Sequence, residues 1–143
     1  MKGMGNIKFP VTTSSPIAQK YFNQGVAQLH GFWYLEAERT FRMVASLDPD
    51  CAMAYWGLTM ANVNNDKRAK EFMKQAVSRR AKASAREQLY IDSLNKLYEA
   101  RESNTDKKSR LYDMYRVMRQ ICTAYPWDIE APAFLACLNW ENQ

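Results

Sequence analysis

The sequence has few helix breakers and no long apolar run. It holds five glycines and five prolines in 143 residues, and no stretch shows the strand-like alternation of apolar and polar residues. No apolar run approaches the roughly 18–20 residues of a membrane span. Good helix formers dominate and 47% of the residues are hydrophobic, which is enough for a core. The sequence therefore predicts one all-α domain without a transmembrane segment.

Residues that bind metals or form disulfides are also scarce. The cysteines are Cys51, Cys122 and Cys137, and His30 is the only histidine. An odd number of cysteines without a CxxC pair argues against a disulfide framework, although one bridge stays possible. Zinc sites need three or four ligands in tight geometry, and no such spacing occurs. No P-loop, dinucleotide-binding or nucleophile-elbow motif is present, so no cofactor, metal site or catalytic activity is predicted.

The spacing of apolar residues predicts an extended lead-in over residues 1–15, followed by seven helices. Ser14 or Ser15 before Pro16 is typical of a helix start. Asp66 is predicted to cap the fourth helix, and Ser84 with Glu87 forms a capping box before the fifth. The helices are expected at about 16–30, 34–47, 51–63, 67–80, 85–101, 108–124 and from 128 toward 140.

An internal repeat runs through these helices. The order Ala37, Phe41, Val44, Pro49 returns with the same offsets much later in the chain, where the residues are Met114, Met118, Ile121 and Pro126. The segments that follow also match, AMAYWGL at 52–58 against APAFLAC at 131–137. Repeats of 30–40 residues made of helix pairs are typical of α-solenoids. Four small residues are predicted where helices approach closely: Gly25, Ala37, Gly57 and Ala69.

At these positions the chain resembles the tetratricopeptide repeat family. The first repeat carries the pattern in Tyr21, Gly25, Ala37, Phe41 and Pro49, and LDPDCAMAYWGL at 47–58 is similar to a junction between two such repeats. The resemblance implies a tetratricopeptide-like α-solenoid of about three helix-turn-helix repeats plus a C-terminal helix. The repeats would span 18–51, 52–83 and 84–128, the terminal helix 129–141, and the whole domain 16–143.

A narrower resemblance is to a group of bacterial, often exported, tetratricopeptide-like proteins, through FPVTTSSPIAQKYFNQGVAQLHGFWYLEAERTFRMVASLDPDCAMAYWG. It favours an exported or periplasmic location. The residues themselves leave the cytoplasm open, because MKGMGNIKFP has no apolar signal core. Whether the repeats continue beyond this chain is left open as well.

In this family the first helix of each pair lines a concave face that binds partners. Carried over, the candidate groove residues are Phe22, Asn23, Val26, His30, Met53, Trp56, Met60, Asn64 and Tyr90. The subclass that clamps a terminal carboxylate uses basic residues here, whereas this chain has Gln19, Phe22 and Met53. The resemblance therefore implies an apolar, aromatic groove for a peptide or helix, and a non-catalytic interaction scaffold. The alternative is that these side chains are core between repeats.

A second candidate surface is basic. The patch comprises Lys67, Arg68, Lys70, Lys74, Arg79, Arg80 and Lys82, within a chain of formal net charge +5. The alternative function is thus a docking module of a larger assembly, whose partner is an anionic protein, a membrane surface or nucleic acid. Nucleic acid is the least favoured of these because no RNA-binding aromatic motif accompanies the charges.

The last predicted helix is rich in apolar residues, among them Phe134, Leu135, Cys137, Leu138 and Trp140. Terminal repeats of a solenoid need a polar outer face. This helix is therefore predicted to cap the array, to continue into a longer one, or to associate with a second copy.

Overall fold

The computed structural model describes residues 6–99 and 106–141, with side chains as far as Cys137. It has seven α-helices within these ranges and no strand there. They are α1 Pro16–His30, α2 Tyr34–Leu47, α3 Ala52–Met60, α4 Asp66–Ser78, α5 Ala85–Tyr98, α6 Lys107–Ala124 and α7 Glu130–Glu141. A single 3₁₀ turn, Arg80–Lys82, follows α4. The predicted all-α class is confirmed.

The helix starts follow from local sequence. The Ser15 hydroxyl accepts a hydrogen bond from the backbone N–H of Ala18, and Pro16 occupies the first turn of α1, where its missing N–H costs nothing. Ser84 and Glu87 form the predicted capping box of α5, each side chain accepting from the other residue's backbone N–H. These two starts are confirmed.

Several predicted boundaries are wrong. The fourth helix ends at Ser78 and not near 80, the fifth ends at Tyr98 and not near 101, and the seventh begins at Glu130 and not near 128. The third helix ends at Met60 and does not reach residue 63, because the Asn62 side chain donates to the Leu58 carbonyl at 2.9 Å and competes with the backbone ladder. The fourth helix is capped by Asn65, whose side chain accepts from the N–H of Arg68, so Asp66 is its first residue and not its cap.

Consecutive helices pack as neighbours, most extensively within the couples α1–α2, α3–α4 and α5–α6. The first helices of these couples also contact one another, α1 with α3 and α3 with α5. They therefore lie together, and we name this side of the stack the concave face, and its lining the groove, after the predicted solenoid. The helix α7 packs on α6.

The small residues of the repeat lie at a wedge made by Phe41 of α2. A Cβ added at Gly25 would lie 2.7 Å from the Phe41 ring, and one added at Gly57 would lie 2.4 Å from it. Ala37 and Ala69 are fully buried. The prediction of close approach is confirmed at Gly25 and Gly57, where Phe41 joins α1, α2 and α3.

The lead-in forms no helix or strand over residues 6–15 and bends at Thr12 and Ser14, but the burial of its side chains is periodic. Ile7, Phe9 and Val11 point inward and are buried or half-buried, whereas Lys8, Pro10 and Thr12 are exposed. This is the period-two pattern of an extended chain with one covered side. Residues 1–5 lie outside the described part of the chain. For them the extended conformation stays a prediction.

Candidate functional site

The centre of the concave face is an aromatic cluster that holds a residue from the lead-in. Phe9 is 0% exposed. Its ring centroid lies 5.2 Å from Phe22 of α1, 5.8 Å from Trp56 of α3 and 5.0 Å from Tyr90 of α5. Tilted aromatic contacts at such distances add to the burial of apolar area. One side chain of the lead-in thus contacts the first helix of all three couples.

Amide side chains of α1 hydrogen-bond the main chain of the lead-in. The Phe9 N–H donates to Asn23 Oδ1 at 3.0 Å, and Gln19 Nε2 donates to the Phe9 carbonyl at 2.8 Å. The Val11 N–H donates to Gln19 Oε1 at 2.9 Å. Gln19 Nε2 also donates to Asn23 Oδ1 at 3.0 Å, which fixes the two amides relative to each other. These bonds involve only backbone groups of the lead-in.

Charged side chains of α5 bond the lead-in from the other side. Arg86 Nη1 donates to the Pro10 carbonyl at 3.0 Å. The Thr12 N–H donates to both carboxylate oxygens of Glu87 at 3.1 Å, and the Thr12 hydroxyl donates to the same carboxylate. The Glu87 carboxylate therefore accepts hydrogen bonds both from Ser84 at the start of α5 and from Thr12 of the lead-in. Together α1 and α5 bond five of the six hydrogen-bonding backbone groups from the Phe9 N–H to the Thr12 N–H.

Arg86 is positioned by residues far away in sequence. Its Nε donates to Asp128 Oδ2 at 2.8 Å, and the Tyr90 hydroxyl donates to the same oxygen at 2.8 Å. Asp128 Oδ1 in turn accepts from the N–H groups of Glu130 and Ala131 at the start of α7. Burial and the Asp128 carboxylate raise the pKa of Tyr90. The N-terminus of α7 is thereby tied to the wall of the groove.

The guanidinium of Arg86 is also surrounded by rings. Its Cζ lies 4.7 Å from the centroid of Phe9, 5.4 Å from Tyr90 and 4.9 Å from Trp127. The residue is only 6% exposed, and its Nη2 has no hydrogen-bond partner among the described residues. Contact with three aromatic faces favours a desolvated cation. Arg86 thus combines an ion pair, a backbone hydrogen bond and aromatic packing.

The other end of the concave face is covered by α7. Phe134 stacks on the His30 ring at 4.6 Å and meets Trp56 edge-on at 5.4 Å. His30 Nε2 lies 2.6 Å from Glu130 Oε2. Trp56 is therefore flanked by Phe9 on one side and Phe134 on the other, both from segments outside the helix couples.

The structure brings most of the predicted groove residues together but does not present them as open surface. Six are buried: Phe22, Val26, Met53, Trp56, Met60 and Tyr90. Asn23 and His30 are half-buried and bond to the lead-in and to α7, whereas Asn64 is exposed and stands apart. The prediction of an exposed groove lining is therefore wrong for these six, which belong to the buried core. Phe9 of the lead-in contacts Phe22, Trp56 and Tyr90, and Phe134 contacts Trp56.

Most cations of the predicted basic patch bond to other residues of the chain. Arg80 forms two bonds of 2.7 Å with Asp92, and Lys82 lies 2.7 Å from Asp50. Arg79 donates to the Pro49 carbonyl and stacks over the Tyr55 ring at 4.3 Å. These three form the densest part of the run, and they join α4 and its 3₁₀ turn to neighbouring segments.

The remaining cations of the patch lie on α4. Arg68 lies 2.9 Å from Glu38, and Lys74 lies 3.2 Å from Glu71. Lys67 and Lys70 are exposed and make no ion pair within the described ranges. The surface that stays available to an anionic partner is therefore smaller than the sequence predicts.

The sulfur-containing side chains of α3 and of the residue before it are buried as packing residues. Met53 is fully buried and Met60 nearly so, and Cys51 is 1% exposed. Burial raises the pKa of the Cys51 thiol to about 11. Cys51 and Cys122 are free thiols. In the described part of the chain no group of three or more His, Cys, Asp or Glu side chains could hold a metal ion.

Sequence reasoning missed the residues that hold the lead-in. Arg86, Glu87 and Asp128 are not among the groove residues that the sequence predicts, and Gln19 is predicted there only as a substitute for a basic clamp residue. The alternation of Ile7, Phe9 and Val11, followed by a capping box whose glutamate can accept further hydrogen bonds, is a usable signal. The contact between the lead-in and α5 cannot be predicted from such local patterns, because 75 residues separate Thr12 from Glu87.

Comparison with protein-family models, curated proteins and solved structures gave no match. None of the described helices has the length and apolarity needed to cross a membrane. What this chain does must therefore be argued from the geometry of the concave face.

Proposed function

We propose that this protein is a non-catalytic interaction scaffold with a tetratricopeptide-like α-solenoid, and that its concave groove binds an extended peptide of a protein partner. The observation that carries the proposal is how the groove holds the lead-in. Side chains of α1 and α5 hydrogen-bond five of the six hydrogen-bonding backbone groups from the Phe9 N–H to the Thr12 N–H. Backbone groups are common to every peptide, so this hydrogen-bonding arrangement suits polypeptide recognition in general.

The aromatic cluster adds an anchor to this backbone recognition. Phe22, Trp56 and Tyr90 enclose one aromatic side chain, and buried aromatic anchors dominate the affinity of many interfaces. The partner is thus expected to be an extended segment and not a helix, because a helix would use its own backbone groups internally. Internal pairing of Arg79, Arg80 and Lys82 makes the alternative, docking through the basic patch, less favoured than the groove.

The test is selection of peptides followed by mapping of their contact. Random peptides displayed on phage would be selected on the full chain, and a photoreactive phenylalanine analogue would replace the aromatic residue of each binder. We expect crosslinks to Phe22, Trp56 or Tyr90 after digestion and mass spectrometry. The matched control carries the photoreactive residue two positions away. Binders that crosslink only to α4, or a selection that yields no binder, would contradict the proposal.

A further inference from the structure

The lead-in is held in the way that a separate ligand would be held. Its side chains alternate inward and outward, its backbone bonds go to side chains of α1 and α5, and its anchor enters an aromatic cluster. No helix couple contributes backbone hydrogen bonds to residues 9–12 among the described contacts. Removal of the lead-in would therefore leave the hydrogen-bond ladders of the helices intact.

We infer that the lead-in is an intramolecular stand-in for the partner's segment, so that it blocks the groove until a competing peptide of similar chemistry displaces it. This inference rests on the proposed function and adds the regulation of the groove and the kind of peptide that it accepts. Displacement needs only residues 6–15 to leave, while the three helix couples stay packed. Phe9 is the one residue of the described lead-in in the buried core, so opening of the lead-in exposes less apolar area than unfolding of the helices and is expected at lower free energy.

The contacts of the lead-in define the chemistry of the displacing peptide. At the anchor position an aromatic side chain fills the cluster now occupied by Phe9. The next position uses only its carbonyl, which accepts from Arg86, so it tolerates proline, and proline also favours the extended backbone. The position after that is apolar, because Val11 is half-buried.

The two positions that follow favour hydroxyl side chains. The Thr12 hydroxyl donates to Glu87, and the Thr13 hydroxyl donates to Asp48 Oδ2 at 2.7 Å. Carboxylates accept hydrogen bonds and repel other carboxylates, so acidic residues are excluded at both positions. The geometry thus assigns to the partner an extended segment of the form aromatic, any residue or proline, apolar, Ser or Thr, Ser or Thr.

The experiment adds the lead-in as a separate peptide to the full chain. A fluorescent peptide of residues 6–15, NIKFPVTTSS, is titrated against the wild-type chain and a Phe9→Ala variant by fluorescence anisotropy. We expect the variant to bind the peptide at least about tenfold more tightly than the wild type, because its own anchor no longer competes. The same peptide with alanine for its phenylalanine should bind the variant about a hundredfold more weakly. Equal binding to both proteins, or binding to neither, would overturn the inference.

A second variant covers the case in which Phe9→Ala does not fold, which circular dichroism would reveal. Thr12→Pro removes the N–H that donates to Glu87 and leaves the anchor in place, so the helices should persist. Tighter peptide binding by this variant than by the wild type supports the inference, and unchanged binding contradicts it. Concentration-dependent dimers that the free peptide dissociates would assign the groove to a second copy and overturn the assignment to another protein.

Failure here is distinguishable from failure of the proposed function. Should the NIKFPVTTSS peptide bind neither variant while library peptides still crosslink to Trp56, the groove binds polypeptide but the lead-in is a fixed part of the fold. Should neither peptide set reach the groove, the scaffold function itself is contradicted.

Discussion

The concave groove and the basic patch both carry polar side chains, but they use them differently. In the groove, Gln19, Asn23 and Glu87 bond the backbone of a segment that belongs to no helix couple. In the patch, Arg80 and Lys82 bond acidic side chains of the helical body and of the turn before α3. Charge density in a sequence therefore does not predict which surface is available to a partner. A surface is available to a partner only where its polar side chains are not already bonded to the helices or to the turns between them.

Arg86, which follows the basic patch in the sequence, gives the largest expected effect. Arg86→Ala should lower the free energy of unfolding by about 3–5 kcal/mol, because it leaves the buried carboxylate of Asp128 without its cation. Urea denaturation followed by circular dichroism measures this. The control Arg39→Ala, at an exposed position of α2, should change it by no more than about 0.5 kcal/mol. Similar values for both variants would show that Arg86 is as dispensable as a surface residue.

The floor of the groove depends on the wedge of Phe41 between two glycines. Gly57→Ala places a methyl group 2.4 Å from the Phe41 ring, so we expect a loss of about 1–3 kcal/mol of stability. Gly31→Ala is the matched control, since Gly31 is exposed and its φ of −84° is accessible to alanine. Thermal unfolding of the two variants provides the comparison. An unchanged melting temperature for Gly57→Ala would refute the wedge.

The ion pairs of the basic patch should matter much less. Arg80→Ala removes a two-bond pair with Asp92, but both side chains are more than one-third exposed, so a loss of about 0.5–1 kcal/mol is expected. The loss should shrink in 1 M salt, where charges are screened. Lys67→Ala serves as the control on α4 and should be close to neutral. A loss for Arg80→Ala that matches that of Arg86→Ala would remove the distinction between the two surfaces.

The smallest effect is the pH dependence at Glu38. Burial opposes its ionisation, but hydrogen bonds from Asn62, Arg68 and Arg42 outweigh burial and lower its pKa below 4.5. A carboxylate with a lowered native pKa stabilises the fold above its unfolded pKa and loses that contribution as the pH falls through the native value. Glu38→Gln should therefore cost stability at pH 7 and little at pH 3. Equal costs at both pH values would contradict the assignment.

Much of the fold is predictable from the sequence because its causes are local. Pro16 after Ser15 and the capping box at Ser84 fix helix starts, and the spacing of Gly25 and Gly57 marks close packing. Asn62 and Asn65 show where local competition for backbone groups shifts a boundary by a few residues.

The occupants of the groove are not predictable in the same way. Phe9 meets Tyr90, and His30 meets Glu130 at a separation of 100 residues, so periodicity within one helix carries no information about them. The tetratricopeptide-like resemblance implies which helices line the concave face, but not that the chain's own lead-in and α7 fill it. The side chain of Trp140, on which the prediction of self-association partly rests, lies outside the described residues.

Native-state hydrogen exchange on the wild-type chain tests the central claim, that the lead-in leaves the groove while the helices stay folded. The amides to follow are those of Phe9, Val11 and Thr12, which donate to Asn23, Gln19 and Glu87. We predict that they exchange through an opening of lower free energy than the amides of α3, with little dependence on denaturant. Exchange of all these amides only through global unfolding, at the free energy of α3, would contradict the account.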